Sequence, residues 1–266
     1  MHQQSEIRCG DKILSYFSLL KKNQLLGTSY LFIGEDQGLV GDIIKLISCK
    51  ESVYSCNQCW DCRAIDKQAH PDIFTVEPEG TVVKIEAIRE AVRFLALKSF
   101  RLRNKIVLIH EGQDLSLEAA NAFLKTMEEP PRNSLIAVCV SKIEGVLPTI
   151  VSRCRKIFLP FKEKEANDEK LSAIVDLFKG KDIIFKDRKD FSSFLWELML
   201  VLQEDIISKV VSFRNNRLPQ NKEYEIILAP YNAEQIYNIL KGVLEIYEVY
   251  NNINMNLALN LIRLKL

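Results

Sequence analysis

Tyr30-Leu31-Phe32-Ile33-Gly34-Glu35-Asp36-Gln37-Gly38-Leu39-Val40-Gly41-Asp42-Ile43-Ile44-Lys45-Leu46-Ile47 is laid out as an apolar strand, a glycine-rich turn and an apolar helix. A phosphate-binding loop of the form G-x-x-x-x-G-K-[ST] has this layout. Its backbone N–H groups surround the phosphates, its lysine reaches the outer ones and its hydroxyl holds Mg²⁺. Counted from Gly34 without gaps, Leu39 takes the second glycine's place, Val40 the lysine's and Gly41 the hydroxyl's. Moving Gly41 onto the second glycine leaves Asp42 in place of the lysine, where its charge repels phosphate. Neither register grips a triphosphate, and an ordinary surface turn is written with the same residues.

Outward from this stretch, strands and helices alternate. Ile73–Val76 reads as a short strand after the turn His70-Pro71-Asp72, and Ile85, Ile88, Val92 and Leu95 recur at helical spacing. Lys105–Ile109 and Ser134–Val140 read as buried strands and Ile157–Leu159 as a last short one, while Leu117–Glu129 reads as a helix stopped by Pro130-Pro131. The alternation predicts an α/β domain with a doubly wound parallel sheet. After Lys105–Ile109, where a nucleotide hydrolase places an aspartate for Mg²⁺, stands His110 followed by Glu111. A hard cation takes oxygen ligands, which His110 does not offer. Glu111 stands where a water-orienting acid would, with no lysine or metal to work beside; a polar strand end without chemistry also accounts for it. Val40 and His110 together describe an ATPase domain that has lost its own hydrolysis.

The chain has 266 residues, 47% hydrophobic and 27% charged, with a formal net charge of +1 and a mean hydropathy of -0.03. Such near-neutrality supplies no global field for nucleic acid or membrane, so any DNA contact must be local. There is no apolar run of about 18 residues to span a bilayer, and Met1–Glu6 lacks the layout of a secretion signal. These features imply a cytoplasmic protein.

Seven cysteines, an odd number, fit a reducing compartment. Cys49, Cys56, Cys59 and Cys62 form a C-x6-C-x2-C-x2-C cluster. Four thiolates at such spacing can close a tetrahedral structural zinc site, with Asn57, Gln58 and Asp61 supplying turn chemistry and outer hydrogen bonds. A redox dithiol and a metal-free loop of buried cysteines are the competing readings; the dithiol leaves Cys49 and the third repeat unexplained. Cys9, Cys139 and Cys154 read as small core residues. His70 is a fifth metal candidate or the holder of a turn-stabilising hydrogen bond.

Three signatures then converge: Ala119-Ala120-Asn121-Ala122-Phe123-Leu124-Lys125-Thr126-Met127-Glu128-Glu129-Pro130-Pro131, Pro148-Thr149-Ile150-Val151-Ser152-Arg153-Cys154, and the four-cysteine insert. Together, over about Gly27 to Phe161, they resemble the bacterial clamp-loader subunits, AAA+ proteins of the DNA polymerase III holoenzyme. Motor members of that family, gamma and tau, keep a full P-loop. Delta-prime members often have a broken P-loop beside a retained Ser-Arg-Cys, and this chain is similar to them. The resemblance implies an AAA+ type sheet, Zn²⁺ bound by Cys49, Cys56, Cys59 and Cys62, and Arg153 acting as an arginine finger in a neighbour's ATP site. Physically, a guanidinium delivered to a transferring phosphoryl group is worth roughly 10³ to 10⁵ in rate. Ser152 could cap the turn that aims Arg153, and Cys154 could anchor it; an Arg153 satisfied by a carboxylate of its own chain is the plain alternative.

Beyond the signatures, Lys162–Lys170 reads as a linker, and only Leu171–Phe178 with Gly180 could represent the family's lid, which looks shortened or lost. Phe191–Phe213, Ala233–Tyr250 and Met255–Leu266 read as helices of an all-α bundle that the resemblance makes a collar. The expected domains are 1–161 with a zinc module at 49–62, then 162–184, then 185–266. Arg89, Arg93, Lys98, Arg101, Arg103 and Lys105 could touch duplex phosphates or, paired with Glu86, Glu90 and Asp114, form a solvated face.

The expected function is a clamp-loader subunit without independent activity that completes a neighbour's ATP site and binds no ATP productively. Its expected partners are gamma or tau, delta, the sliding clamp and primer-template DNA at the replisome. An active gamma- or tau-like ATPase with an unorthodox loop is the alternative, and a zinc-stabilised scaffold outside replication a third.

Overall fold

The computed structural model describes residues 9–160, 168–212 and 223–266. The chain divides into two compact units, Phe17–Phe161 on one hand and Met1–Tyr16 with Lys162–Leu266 on the other, the division falling within helix α1 (Cys9–Lys22).

The Phe17–Phe161 unit is built on five parallel strands. These are β1 (Ser29–Ile33), β2 (Ile73–Val76), β3 (Lys105–Ile109), β4 (Ser134–Val140) and β5 (Arg155–Phe158), in the order β2-β3-β4-β1-β5. Every residue of β1 and β4 is buried. A strand buried on both faces needs cover on both, and the crossover helices supply it: α2 (Gln37–Ser48), α3 (Trp60–Asp66), α4 (Ile85–Leu95), α5 (Leu117–Glu128) and α6 (Pro148–Arg153). This is the doubly wound parallel α/β sheet that the strand–helix alternation predicted, with the cysteine insert between α2 and β2. The chain runs from β1 across to β2 on one side and from β4 across to β5 on the other. The reversal leaves a crevice at the carboxyl ends of β1 and β4, where doubly wound sheets hold ligands.

Boundaries moved where capping overrode composition. Helix α2 starts at Gln37 because the Asp36 carboxylate accepts the Leu39 N–H. Val40, Gly41 and Asp42, expected in a loop, are therefore helical. The last strand begins two residues earlier than its apolar core suggested, pairing Tyr30 to Ile33 with Arg155 to Phe158. Helix α1 was not anticipated, although Ile13, Phe17 and Leu20 are buried at helical spacing.

In the second unit α7 (Asp168–Phe178), α8 (Arg188–Ser212), α9 (Glu223–Leu228), α10 (Ala233–Val249) and α11 (Met255–Arg263) form the C-terminal helical bundle. Phe194, Leu195, Trp196, Leu198, Met199, Val201 and Leu202 of α8 are all buried, so this helix is apolar around its circumference and lies at the bundle's centre. Ile236, Ile239, Val243, Ile246 and Tyr247 of α10 are buried as the spacing predicted, with Leu240 half-buried. Helix α7 spans the proposed lid remnant to Phe178, and Gly180 follows it in the turn at φ 72. Residues 162–167 of the expected linker, with Phe161 and Phe213, lie outside the described residues. Among the described residues, no helix is long and apolar enough to cross a membrane.

Candidate functional site

Three residues, Gly34, Glu35 and Asp36, separate β1 from α2, and Gly34 takes φ 134, which favours glycine. The N-terminus of α2 faces the crevice, as a phosphate-binding helix would. Its first turn is already matched by the Asp36 carboxylate, so an incoming anion meets a negative charge in its place. Val40 is fully buried in the core.

The crevice is filled by the chain's own side chains. Gln37 Nε2 donates to Glu111 Oε1 at 2.8 Å, and Gln37 Oε1 lies 2.7 Å from His110 Nδ1. Because that oxygen can only accept, His110 Nδ1 carries the proton. Its Nε2 faces Glu77 Oε1 at 3.6 Å, Gln113 Nε2 donates to Glu111 Oε2 at 2.5 Å, and Ser141 N–H donates to Gln113 Oε1 at 3.3 Å. One network thus joins the ends of β2, β3 and β4 to the start of α2. Glu111 adopts a left-handed φ of 48, and Gly112 follows it so closely against β4 that a Cβ there would lie 2.4 Å from Val138 Cγ1. Gln37 and Gln113 carried no sequence signal, since their roles arise only when three strand ends meet.

Arg153 ends α6. Its guanidinium donates to the Thr149 carbonyl at 2.9 Å and pairs with Glu128 at the end of α5, both partners part-exposed. An exposed pair of this kind is worth about 0–1 kcal/mol, so the guanidinium is parked rather than locked. Ser152 was expected to cap; instead its hydroxyl donates back to Thr149 within α6, whose N-cap residue Leu147 offers no side-chain hydrogen bond. Cys154 is buried, and burial pushes its thiol up to about 12.

The structure brings Cys49, Cys56, Cys59 and Cys62 together, their sulfurs all within 4.8 Å of one another. Cys49 caps the end of α2, Cys59 caps the start of α3 by accepting the Cys62 N–H at 3.4 Å, and Cys56 accepts the Cys59 N–H at 3.3 Å. Asn57 makes the intervening turn at φ 58. Cys56 and Cys62 sulfurs stand 3.9 Å apart, against about 3.8 Å for the edge of a tetrahedron with Zn–S near 2.3 Å. The donor set and its geometry fit a tetrathiolate metal ion. In the metal-free thiols, N–H groups of Gln58 and Cys59 draw Cys56 down to about 6, whereas burial pushes Cys62 up to about 12. Cys139 is buried in β4; the side chain of Cys9 lies outside the described residues.

His70 is not drawn into the cluster. Its Nδ1 accepts the Asp72 N–H at 3.1 Å, which leaves the proton on Nε2 facing Asp61 Oδ1 at 3.2 Å. Asp61, expected beside the thiols, is turned away from them and also takes Arg101 Nε at 2.8 Å, with that guanidinium 4.7 Å above the Trp60 ring. The basic group is therefore split. Lys105 is buried against Asp72 and over the Phe94 ring, and Arg101 is committed to Asp61, which leaves Arg89, Arg93, Lys98 and Arg103 exposed, the last donating to Gln24 Oε1 at 3.2 Å.

Fold and sites together define a doubly wound parallel α/β domain with a tetracysteine insert and a crevice closed by its own side chains. Residues 10–163 match the family described as DNA polymerase III, delta subunit, and the chain belongs to that family. It is 29% identical to the DNA polymerase III subunit delta' of Bacillus subtilis over 57% of this chain and 48% of that protein. It is 30% identical to the subunit delta' of Escherichia coli over 47% of this chain and 38% of that one. The match thus spans less than half the length of these relatives. Among solved structures, a DNA polymerase III gamma subunit-related protein of Thermotoga maritima covers 94% of this chain, and 98% of its own, at TM-score 0.42 and 17% identity.

Proposed function

We propose that this chain is a non-hydrolysing clamp-loader subunit of the DNA polymerase III holoenzyme. It lends Arg153 to the ATP site of an adjacent motor subunit and does not turn over nucleotide itself. The observation that carries this reading is the occupied start of α2: Asp36 caps the helix that would meet phosphate, and Val40 is core where the lysine would stand. The same crevice opposes an ATPase reading, since Glu111 spends both carboxylate oxygens on Gln37 and Gln113. Gamma or tau, delta, the sliding clamp and primer-template DNA are the partners this role requires. Of the basic group read from the sequence, Arg89, Arg93, Lys98 and Arg103 are exposed and available to DNA.

A structural Zn²⁺ held by Cys49, Cys56, Cys59 and Cys62 would cross-link α2, the insert and α3; as a closed site it would supply rigidity and no chemistry. Arg153 leaves Glu128 when a more strongly charged phosphate is offered, because a part-exposed pair costs little to break. Reconstituted with motor subunits, clamp and primed DNA, Arg153→Ala lowers the stimulated ATPase at least ~10³-fold at the site it serves, while assembly seen by gel filtration is retained. Unchanged ATPase in an intact complex removes the mechanism. Hydrolysis by the isolated chain that stops in Glu111→Gln would establish the ATPase reading instead.

A further inference from the structure

Lys21 lies in the last turn of α1, far in sequence from the insert, yet its ammonium reaches three main-chain carbonyls. Nζ is 2.7 Å from the Leu46 oxygen, 2.5 Å from that of Cys49 and 2.8 Å from that of Ser52. An ammonium has three protons, and all three are used on the stretch of chain that carries Cys49 from α2 into the insert. Two of these acceptors lie at the α2 carboxyl end, where carbonyls lack helical partners and the helix dipole is negative. Cys49 itself is 1% exposed, so its sulfur points wherever this segment's path directs it.

Charge gives a second argument. Among the described residues no carboxylate pairs with Lys21, whereas Lys45, another lysine beside the insert, is matched by Asp66 at 2.5 Å. Four thiolates around one divalent cation leave two negative charges, which a part-buried site must balance.

We propose that Lys21 belongs to the tetracysteine metal centre, as the residue that positions Cys49 through its own and neighbouring carbonyls and as the counter-charge to the thiolates. This rests on the zinc reading above. Outer partners of metal ligands are typically worth roughly 10–100-fold in metal affinity.

The test uses the full chain, with zinc affinity measured by competition against a chelator and thermal unfolding followed with zinc and after chelation. Lys21→Met is expected to bind zinc at least tenfold more weakly and to lose much of the zinc-induced rise in Tm. Lys21→Arg, which keeps the charge, is expected to stay above Lys21→Gln, which keeps donors alone; this pair carries the comparison if Lys21→Met is not recovered folded. Wild-type zinc affinity in both neutral variants, with Tm falling equally in the loaded and chelated forms, would mean packing alone and overturn the proposal. A wild-type chain that binds no zinc sinks the zinc reading and this inference with it, an outcome distinct from unaltered variants.

Discussion

Asp72 follows His70-Pro71 at the entry to β2 and is fully buried, its carboxylate accepting the N–H groups of Phe100 and Arg101 at 2.6 Å and of Leu102 at 2.8 Å. Lys105 Nζ stands 3.2 Å away. Burial alone would raise this carboxyl, but the three N–H donors and Lys105 outweigh it and hold it at about 2. Because the folded value lies below the unfolded one, the stabilisation is fully present above about pH 4 and is lost as pH falls from there towards about 2. Across that interval it amounts to about 2 kcal/mol. Asp72→Asn keeps the shape but leaves Lys105 buried without its anion, which costs about 3–5 kcal/mol. Urea unfolding at neutral pH should show that loss. The wild-type advantage should shrink as the unfolding is repeated in progressively more acidic buffer; a constant difference across that range would contradict the ion-pair account.

Helix α2 illustrates how far elements could be read from sequence. Its apolar residues Ile43, Ile44 and Leu46 follow helical periodicity and are buried as expected. Its start was misplaced, because a glycine-rich segment looks like loop until Asp36 is recognised as a cap with Leu39 as its partner. Strands β1, β3 and β4 were legible as continuous apolar runs, and the cysteine cluster from spacing alone. Lys21, Gln37, Gln113 and Glu128 were not, because each has a partner at least 25 positions away and periodicity reports only on neighbours. The capped start of α2 carries its own prediction. Restoring a P-loop lysine with Val40→Lys should not restore ATP binding, since position 40 is core and not crevice. Burying an ammonium there should cost several kcal/mol or drive it to neutrality. Calorimetric titration with ATP should show no gain over wild type, and Cm in urea should fall; ATP binding at unchanged stability would mean that α2 begins later than described.

For the molecule as a whole, the two units carry different kinds of stability. The helical unit rests on apolar burial centred on α8, while the Phe17–Phe161 unit adds polar links that tie the insert to the sheet: Lys45 with Asp66, Asp61 with His70 and Arg101, and Asp72 with the chain after α4. A metal at the four cysteines would bind the folded form of this unit and not an unfolded chain, so its binding energy becomes folding energy. At a free zinc concentration about a thousand times Kd, linkage adds about 4 kcal/mol, or roughly 10 °C in Tm for a unit of this size. Chelation should therefore lower the unfolding temperature by that order. Hydrogen exchange should localise the change: amides of α3 and those of Phe100, Arg101 and Leu102 that point at Asp72 should lose protection, because α3 holds Asp61 and thereby Arg101. Amides of β1 and β4, paired in the middle of the sheet, and those of α8 should exchange as before until the whole unit opens. Identical exchange maps with and without metal would show that the cysteines are bystanders to stability, leaving the insert to be held by its polar links through Lys21, Lys45, Asp61, His70 and Asp72.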